Sequence, residues 1–288
     1  MSLKKSRART DDSVGDLEPP APQGRSILVK RLKVGGQDLR VGIWSAASKH
    51  PPLLLFNGIG VGFEMLAPFA EAIPDIETIA FDVPGAGESS APALPYRLWM
   101  MAGLVSRMLD ELGYDQVDVL GVSWGGALAQ QYALQNPKRC RRLILAATVP
   151  SPMIPARPSV LWKFLTPRRL NDPEYRDKVA GDIYGGAART EPELMRQIAP
   201  LYGSASRRGY LYQQLALLGW VSMAWLPLLP QHTLILAGRD DPIAPHINAR
   251  MLRLMIRRSR LHTFDDGHLF LISQAEGAGR VVDAFLRE

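Results

Sequence analysis

The chain has 288 residues, 47% of them hydrophobic and 22% charged, which is enough apolar content for a sizeable core in one large α/β domain or two small ones. Its net charge of +6 is spread over short clusters such as Lys138 to Arg142 and Arg257 to Arg260, and no basic stripe with interleaved aromatics is present, so a nucleic-acid-binding role is excluded. The single cysteine, Cys140, cannot form an internal disulfide and suits a reducing compartment.

Residues 1–24 mix Lys, Arg and Asp with the run Pro19-Pro20-Ala21-Pro22, lack apolar periodicity and read as a disordered tail. No apolar h-region follows the early basic residues, so a secretory signal is not expected and the protein is placed in the cytoplasm. Two alternating segments, Ile27 to Lys33 and Leu39 to Trp44, flank Gly35-Gly36 and predict an antiparallel hairpin. From Leu53 onward, apolar strands alternate with helical stretches, the pattern of a mostly parallel sheet covered by helices. Strands are expected at Leu53 to Phe56, Glu77 to Phe81, Val117 to Val122, Arg142 to Ala147, His232 to Ala237 and Arg260 to Phe264. Helices are expected at Phe63 to Ile73, Arg97 to Leu112, Gly125 to Gln135, Ile247 to Ile256 and Leu269 to Leu286.

The alternation lapses between Val149 and Pro230. This stretch holds many prolines and Trp162, Trp220 and Trp225, and it reads as a helical cap over residues 150–230, inserted into an α/β core of 25–149 and 231–288. Within it, Gly209 to Gly238 contains no Asp, Glu, Lys or Arg. Its apolar run Leu215 to Leu229 is shorter than the ~20 residues of a membrane span and is broken by Pro227, so a buried or substrate-facing helix followed by a strand is expected.

The chemistry centres on Val117 to Gly126. A β-branched run leads into Gly121-Val122-Ser123-Trp124-Gly125, which fits Gly-x-Ser-x-Gly, and a helix-favouring run follows. Such a sharp turn brings strand and helix together and holds the Ser123 hydroxyl out, where a base and a substrate reach it. A hydroxyl is a poor nucleophile until an imidazole takes its proton and an acid fixes the imidazole's tautomer. The stretch Gly238-Arg239-Asp240-Asp241-Pro242 puts Asp241 in the acid position just past a strand, with Asp240 as the competitor. His268, in Asp265-Asp266-Gly267-His268 after the last strand, is the candidate base. His50, His232, His246 and His262 lie in an early loop, within strands or at a helix start. The order Ser, Asp, His at strand ends matches that of a nucleophile elbow. For the developing oxyanion, one N–H is expected from Trp124 and a second from Ile59 in the loop Asn57-Gly58-Ile59-Gly60. The loop from Asp82 to Ser89 is expected to wall the site. Cys140 is read as structural.

The fold-level pattern resembles the α/β-hydrolases. More specifically, Gly121 to Gln131, Leu53 to Gly60 and Asp265 to Ile272 together resemble the intracellular medium-chain-length poly(3-hydroxyalkanoate) depolymerases, with similarity from about Ile27 to the C-terminus, cap included. The resemblance implies a serine hydrolase that cleaves stored polyester at the surface of intracellular granules, with Ser123, Asp241 and His268 in the triad positions. The N-terminal tail and Arg239, where the family commonly carries an acidic residue, depart from the pattern. No metal or organic cofactor is implied, and the expected partner is a hydrophobic polyester or acyl ester. Two alternatives stand beside this reading: a general small-ester or lipid esterase of the same fold, and a non-catalytic binding protein that keeps the pocket.

Overall fold

The computed structural model describes residues 25–48, 50–152, 157–166, 168, 172–202 and 206–288; the tail expected over 1–24 lies outside them. The chain opens with the hairpin β1 (Ile27–Val34) and β2 (Gln37–Trp44), turned by Gly35 and Gly36, both at positive φ. Then come β3 (Leu53–Phe56), a 3-10 turn Phe63–Leu66, α1 (Ala67–Glu71), β4 (Thr78–Phe81), α2 (Leu98–Leu112), β5 (Val117–Val122), α3 (Trp124–Gln135) and β6 (Cys140–Ala146). Helices α4 (Pro158–Leu165), α5 (Pro173–Tyr184), α6 (Gly186–Thr190), α7 (Pro192–Ile198) and α8 (Arg207–Leu217) stand between β6 and β7 (His232–Gly238). The chain closes with α9 (His246–Met255), β8 (Ser259–Phe264), α10 (Phe270–Ser273) and α11 (Ala275–Arg287).

The eight strands form one sheet in the order β1-β2-β4-β3-β5-β6-β7-β8, antiparallel at β1, β2 and β4 and parallel from β4 onward. After β3 the chain first goes out to β4 and then returns to build β5 on the other side of β3, after which it continues outward to β8. That reversal opens a crevice at the carboxyl ends of β3 and β5, the place where open parallel sheets bind ligands. The register sets Phe56 of β3 beside Gly121 of β5, so the loop after Phe56 and the turn after Val122 meet there.

Strand side chains alternate between two cores. Leu54, Phe56, Val119, Leu143, Leu145, Ile235 and Ala237 pack with α2, α3 and α9 on one face. Leu53, Leu55, Leu120, Ile144, Leu234 and Leu236 pack with α1, α10 and α11 on the other. A sheet buried on both faces needs continuous apolar strands, and this is why these segments read as runs rather than as strict alternation. Cys140 is buried in the first core, and its burial pushes the thiol well above its ordinary range, as befits a structural residue.

Three expected helices differ. Phe63 to Ile73 is a 3-10 turn followed by a short α1, because Pro68 has no N–H and fits only in a first helical turn. Leu269 to Leu286 breaks at Gln274, where the Ser273 hydroxyl donates to Asp266 at 2.5 Å and the Gln274 amide reaches the Asp265 carbonyl. The helix and strand expected in the uncharged stretch are both present, as α8 and β7, but the helix is short: α8 ends at Leu217, Gly219 turns at φ +75°, and only Leu226–Leu228 coil again as a 3-10 turn. No helix among the described residues is long and apolar enough to cross a membrane.

Candidate active site

Ser123 stands between β5 and α3 at φ 54° and ψ −115°, a conformation that L-residues rarely adopt. Neighbouring contacts hold it there: Ser123 N–H donates to the Ala146 carbonyl at 2.9 Å, and the Ser123 carbonyl accepts from the Thr148 hydroxyl at 2.7 Å and from Gly126 N–H at 2.9 Å. The flanking glycines are a steric necessity. A Cβ on Gly121 would lie 2.3 Å from the Gly125 carbonyl oxygen, and one on Gly125 would lie 2.1 Å from that of Phe56. Gly125→Ala is therefore expected to destabilise the fold by about 3 kcal/mol, the upper end for overpacking, read as a lower urea midpoint at unchanged m-value.

Asp241 and His268 come from loops after β7 and β8. These loops touch so closely that a Cβ on Gly238 would meet the Gly267 carbonyl oxygen at 2.2 Å. His268 Nδ1 lies 2.7 Å from Asp241 Oδ2, and Asp241 Oδ1 accepts from the N–H groups of Ile243 and Ala244 at 2.9 Å each. Both side chains are nearly enclosed. A carboxylate only accepts, so Nδ1 is the donor in this contact, and in the neutral imidazole the lone pair is then on Nε2. Asp240 turns elsewhere: its Oδ2 accepts from Gly186 N–H at 2.9 Å and pairs with Arg189. Arg239, beside these acids, pairs with Asp265 at 2.6 Å on the surface.

Ser123 and His268 line one cavity of about 60 Å³, together with Asn57, Gly58 and Ile59. The rest of its wall is apolar, supplied by Val61, Met65, Leu66, Val122, Phe164, Leu269, Leu271 and Ile272, with Tyr184 beside them. The N–H groups of Gly58 and Gly60 are both engaged, by Asn57 Oδ1 at 2.8 Å and Gln213 Oε1 at 2.7 Å. Trp124 is the first residue of α3, where an N–H has no partner within the helix. The loop Asp82 to Ser89 contributes nothing to the cavity wall. It instead braces the region from behind, with the buried Asp82 carboxylate accepting from Phe63 N–H and Glu88 N–H at 2.8 Å each. Burial pushes this carboxyl up, against the pull of those two donors.

Several residues at the site carry no motif. Tyr184, at the end of α5, stacks its ring on His268 at 6.2 Å between centroids, and its carbonyl accepts from His268 N–H at 2.7 Å. Asp266 accepts from Ala187 N–H at 2.8 Å and Gly267 N–H at 2.6 Å, tying the inserted helices to the His268 loop. The one sequence signal for this junction is the pair Gly185-Gly186, both at positive φ. A Cβ on Gly186 would lie 2.0 Å from Gly267 N. Among the described residues no group of three His, Cys, Asp or Glu side chains is placed to hold a metal ion.

Residues 51–275 match the family model described as alpha/beta hydrolase fold. The chain is 47% identical to a poly(3-hydroxyalkanoate) depolymerase of Ectopseudomonas oleovorans, over 91% of this chain and 93% of that one. It is 28% identical to a 2-hydroxy-6-oxo-2,4-heptadienoate hydrolase of Pseudomonas putida, over 91% of this chain and 96% of that one. Among solved structures, the enol-lactonase of Burkholderia xenovorans LB400 superposes with a TM-score of 0.78 at 23% identity, over 90% of this chain and 100% of that one, a likeness of fold alone.

Proposed function

The chain belongs to the α/β-hydrolase family, in its poly(3-hydroxyalkanoate) depolymerase branch, and from that premise we propose a serine carboxylester hydrolase that cleaves medium-chain-length poly(3-hydroxyalkanoate) through an acyl-enzyme. The observation that carries this reading is that Ser123 and His268 face one cavity while Asp241 holds the far nitrogen of His268. Ser123 Oγ attacks the ester carbonyl as His268 Nε2 takes its proton. The imidazolium that forms is stabilised by Asp241, and the oxyanion is met by the N–H groups of Ile59 and Trp124. His268 then returns the proton to the departing alkoxide. Water, deprotonated by the same imidazole, frees Ser123 and releases the acid.

The surroundings suit an apolar polyester. Helix α4 turns Phe164 into the cavity and leaves Leu161, Trp162 and Leu165 on the outside, with Trp162 79% exposed. Covering one large apolar side chain is worth about 1.5–3 kcal/mol, so three on one short helix give an appreciable attraction for a water-insoluble substrate. On this reading the protein works in the cytoplasm at the surface of storage granules.

The test compares emulsions of short-chain and medium-chain polyester with soluble p-nitrophenyl octanoate, products being identified by mass spectrometry. Release of medium-chain 3-hydroxy acids or their oligomers is expected. Cleavage of the octanoate alone, with both polyesters left intact, would reduce the reading to a general esterase.

A further inference from the structure

Helix α8, from the inserted segment, meets both stretches that carry the proposed oxyanion donors, and Gln213 is the residue that touches them. Its Oε1 accepts from Gly60 N–H at 2.7 Å, and its backbone carbonyl accepts from the Trp124 indole N–H at 2.8 Å. The residue is fully buried, three positions from the buried Tyr210 and Ala216 on the same helix, and its Nε2 has no hydrogen-bond partner among the described residues. Burying an amide with an unmet donor is unfavourable, and an apolar side chain of the same size would avoid that cost. Packing alone therefore does not account for glutamine here; its acceptor does.

The acceptor has a defined effect on the loop. Gly58 N–H is tied to Asn57 Oδ1, the Asn57 amide donates to the Gly62 carbonyl at 2.6 Å, and Gly60 N–H is tied to Gln213. Gly60 is at φ +75°, so the chain turns sharply just after Ile59. Of three successive N–H groups the outer two are engaged, and the peptide planes on both sides of the Ile59 N–H are thereby restrained. We propose that Gln213 is a positioning residue for the oxyanion hole, its amide oxygen holding Gly60 so that the Ile59 N–H stays directed at the reacting carbonyl. This rests on the serine-hydrolase reading above, since it acts through that reading's donors.

The experiment uses the whole chain, p-nitrophenyl octanoate as substrate and an octyl trifluoromethyl ketone as probe. Serine adds to the ketone carbon, its proton passes to His268, and the ketone oxygen becomes an oxyanion, so the probe's affinity reports the hole directly. Gln213→Met keeps the volume and removes the acceptor. It is expected to lower kcat about tenfold, less than outright loss of a donor, with KM within about twofold and the ketone's inhibition constant raised in the same proportion as kcat/KM falls. Gln213→Glu keeps an acceptor for Gly60 N–H in both protonation states and adds a negative charge beside the hole once ionised. Its kcat relative to wild type is therefore expected to fall as pH rises from 6 to 9.

Wild-type kcat in the Met variant, or a fall in kcat/KM with ketone affinity unchanged, would overturn the proposal. Should the Met variant fail to fold by circular dichroism, Gln213→Leu and Gln213→Ala, which also lack the acceptor, take its place with the same two readouts, and wild-type kcat or unchanged ketone affinity in them overturns it. Wild-type protein that neither binds the ketone nor labels with a fluorophosphonate would overturn the underlying reading, and this inference with it. Wild type that does both, with Gln213 variants indistinguishable from it, overturns the inference only.

Discussion

Ser123→Ala is expected to lower kcat on p-nitrophenyl octanoate by about 10⁵-fold, within the range seen when a serine nucleophile is removed from a triad. The residual rate would come from whatever the N–H groups of Ile59 and Trp124 and the apolar cavity supply without a covalent intermediate. The fold should survive, because alanine keeps the Cβ and the backbone bonds to Ala146, Thr148 and Gly126 do not involve the hydroxyl. At φ 54° alanine retains the steric strain of serine, whereas glycine relieves it. Ser123→Gly should thus be as inactive as Ser123→Ala but melt at the same or a higher temperature, the released strain of about 1–3 kcal/mol offsetting the greater entropy of the unfolded glycine chain. Hydrolysis by Ser123→Ala at the wild-type rate would remove the serine from the mechanism.

The second large effect separates two adjacent acids. Asp241→Asn is expected to cost about 10⁴-fold in kcat, because an amide facing His268 Nδ1 favours the wrong tautomer and leaves the imidazolium without its counter-charge. Asp240→Asn weakens only a half-exposed pair with Arg189 and one acceptor for Gly186 N–H. Exposed pairs are worth at most about 1 kcal/mol, so less than about a fivefold change is expected there. Steady-state kinetics of the two variants side by side are sufficient. Equal losses would mean that the clamp on Gly186 matters as much as the contact to His268, and a larger loss at Asp240 would reverse the roles.

Tyr184, Asp266 and Gln213 give the inserted helices a share in the site. Each joins an element of the insert to a loop bearing a proposed catalytic group: Tyr184 to His268 itself, Asp266 to the turn at Ala187, and Gln213 to Gly60 and Trp124. The third apolar cluster shows the same junction, since Val61 and Met65 of the core pack with Val179, Ile183 and Tyr184 of α5.

Local chemistry made much of this legible. The pair Gly35-Gly36 between alternating segments specifies a hairpin because both turn positions need positive φ, and long apolar runs specify doubly covered strands. Gly121, Ser123 and Gly125 announce a tight strand-to-helix turn, since the contacts that exclude a Cβ at Gly121 and Gly125 are made within that turn or to the adjacent strand end. The breaks at Pro68, Gln274 and Leu217 were less legible. The second depends on Asp266 drawing Ser273 aside, and apolar periodicity continues past it without a signal.

The alternation of strands and helices, the elbow at Ser123 and the short set of candidate partners are each written in residues near one another in the chain. The strand order that sets β3 beside β5, the turning of Asp241 rather than Asp240 toward His268, and the arrival of Gln213 and Tyr184 at the site come from contacts between distant segments. The physical reason is distance along the chain. Gly60 and Gln213 are 153 residues apart, and a hydrogen bond across such a gap exists only after the sheet has formed and the inserted helices have closed over its edge.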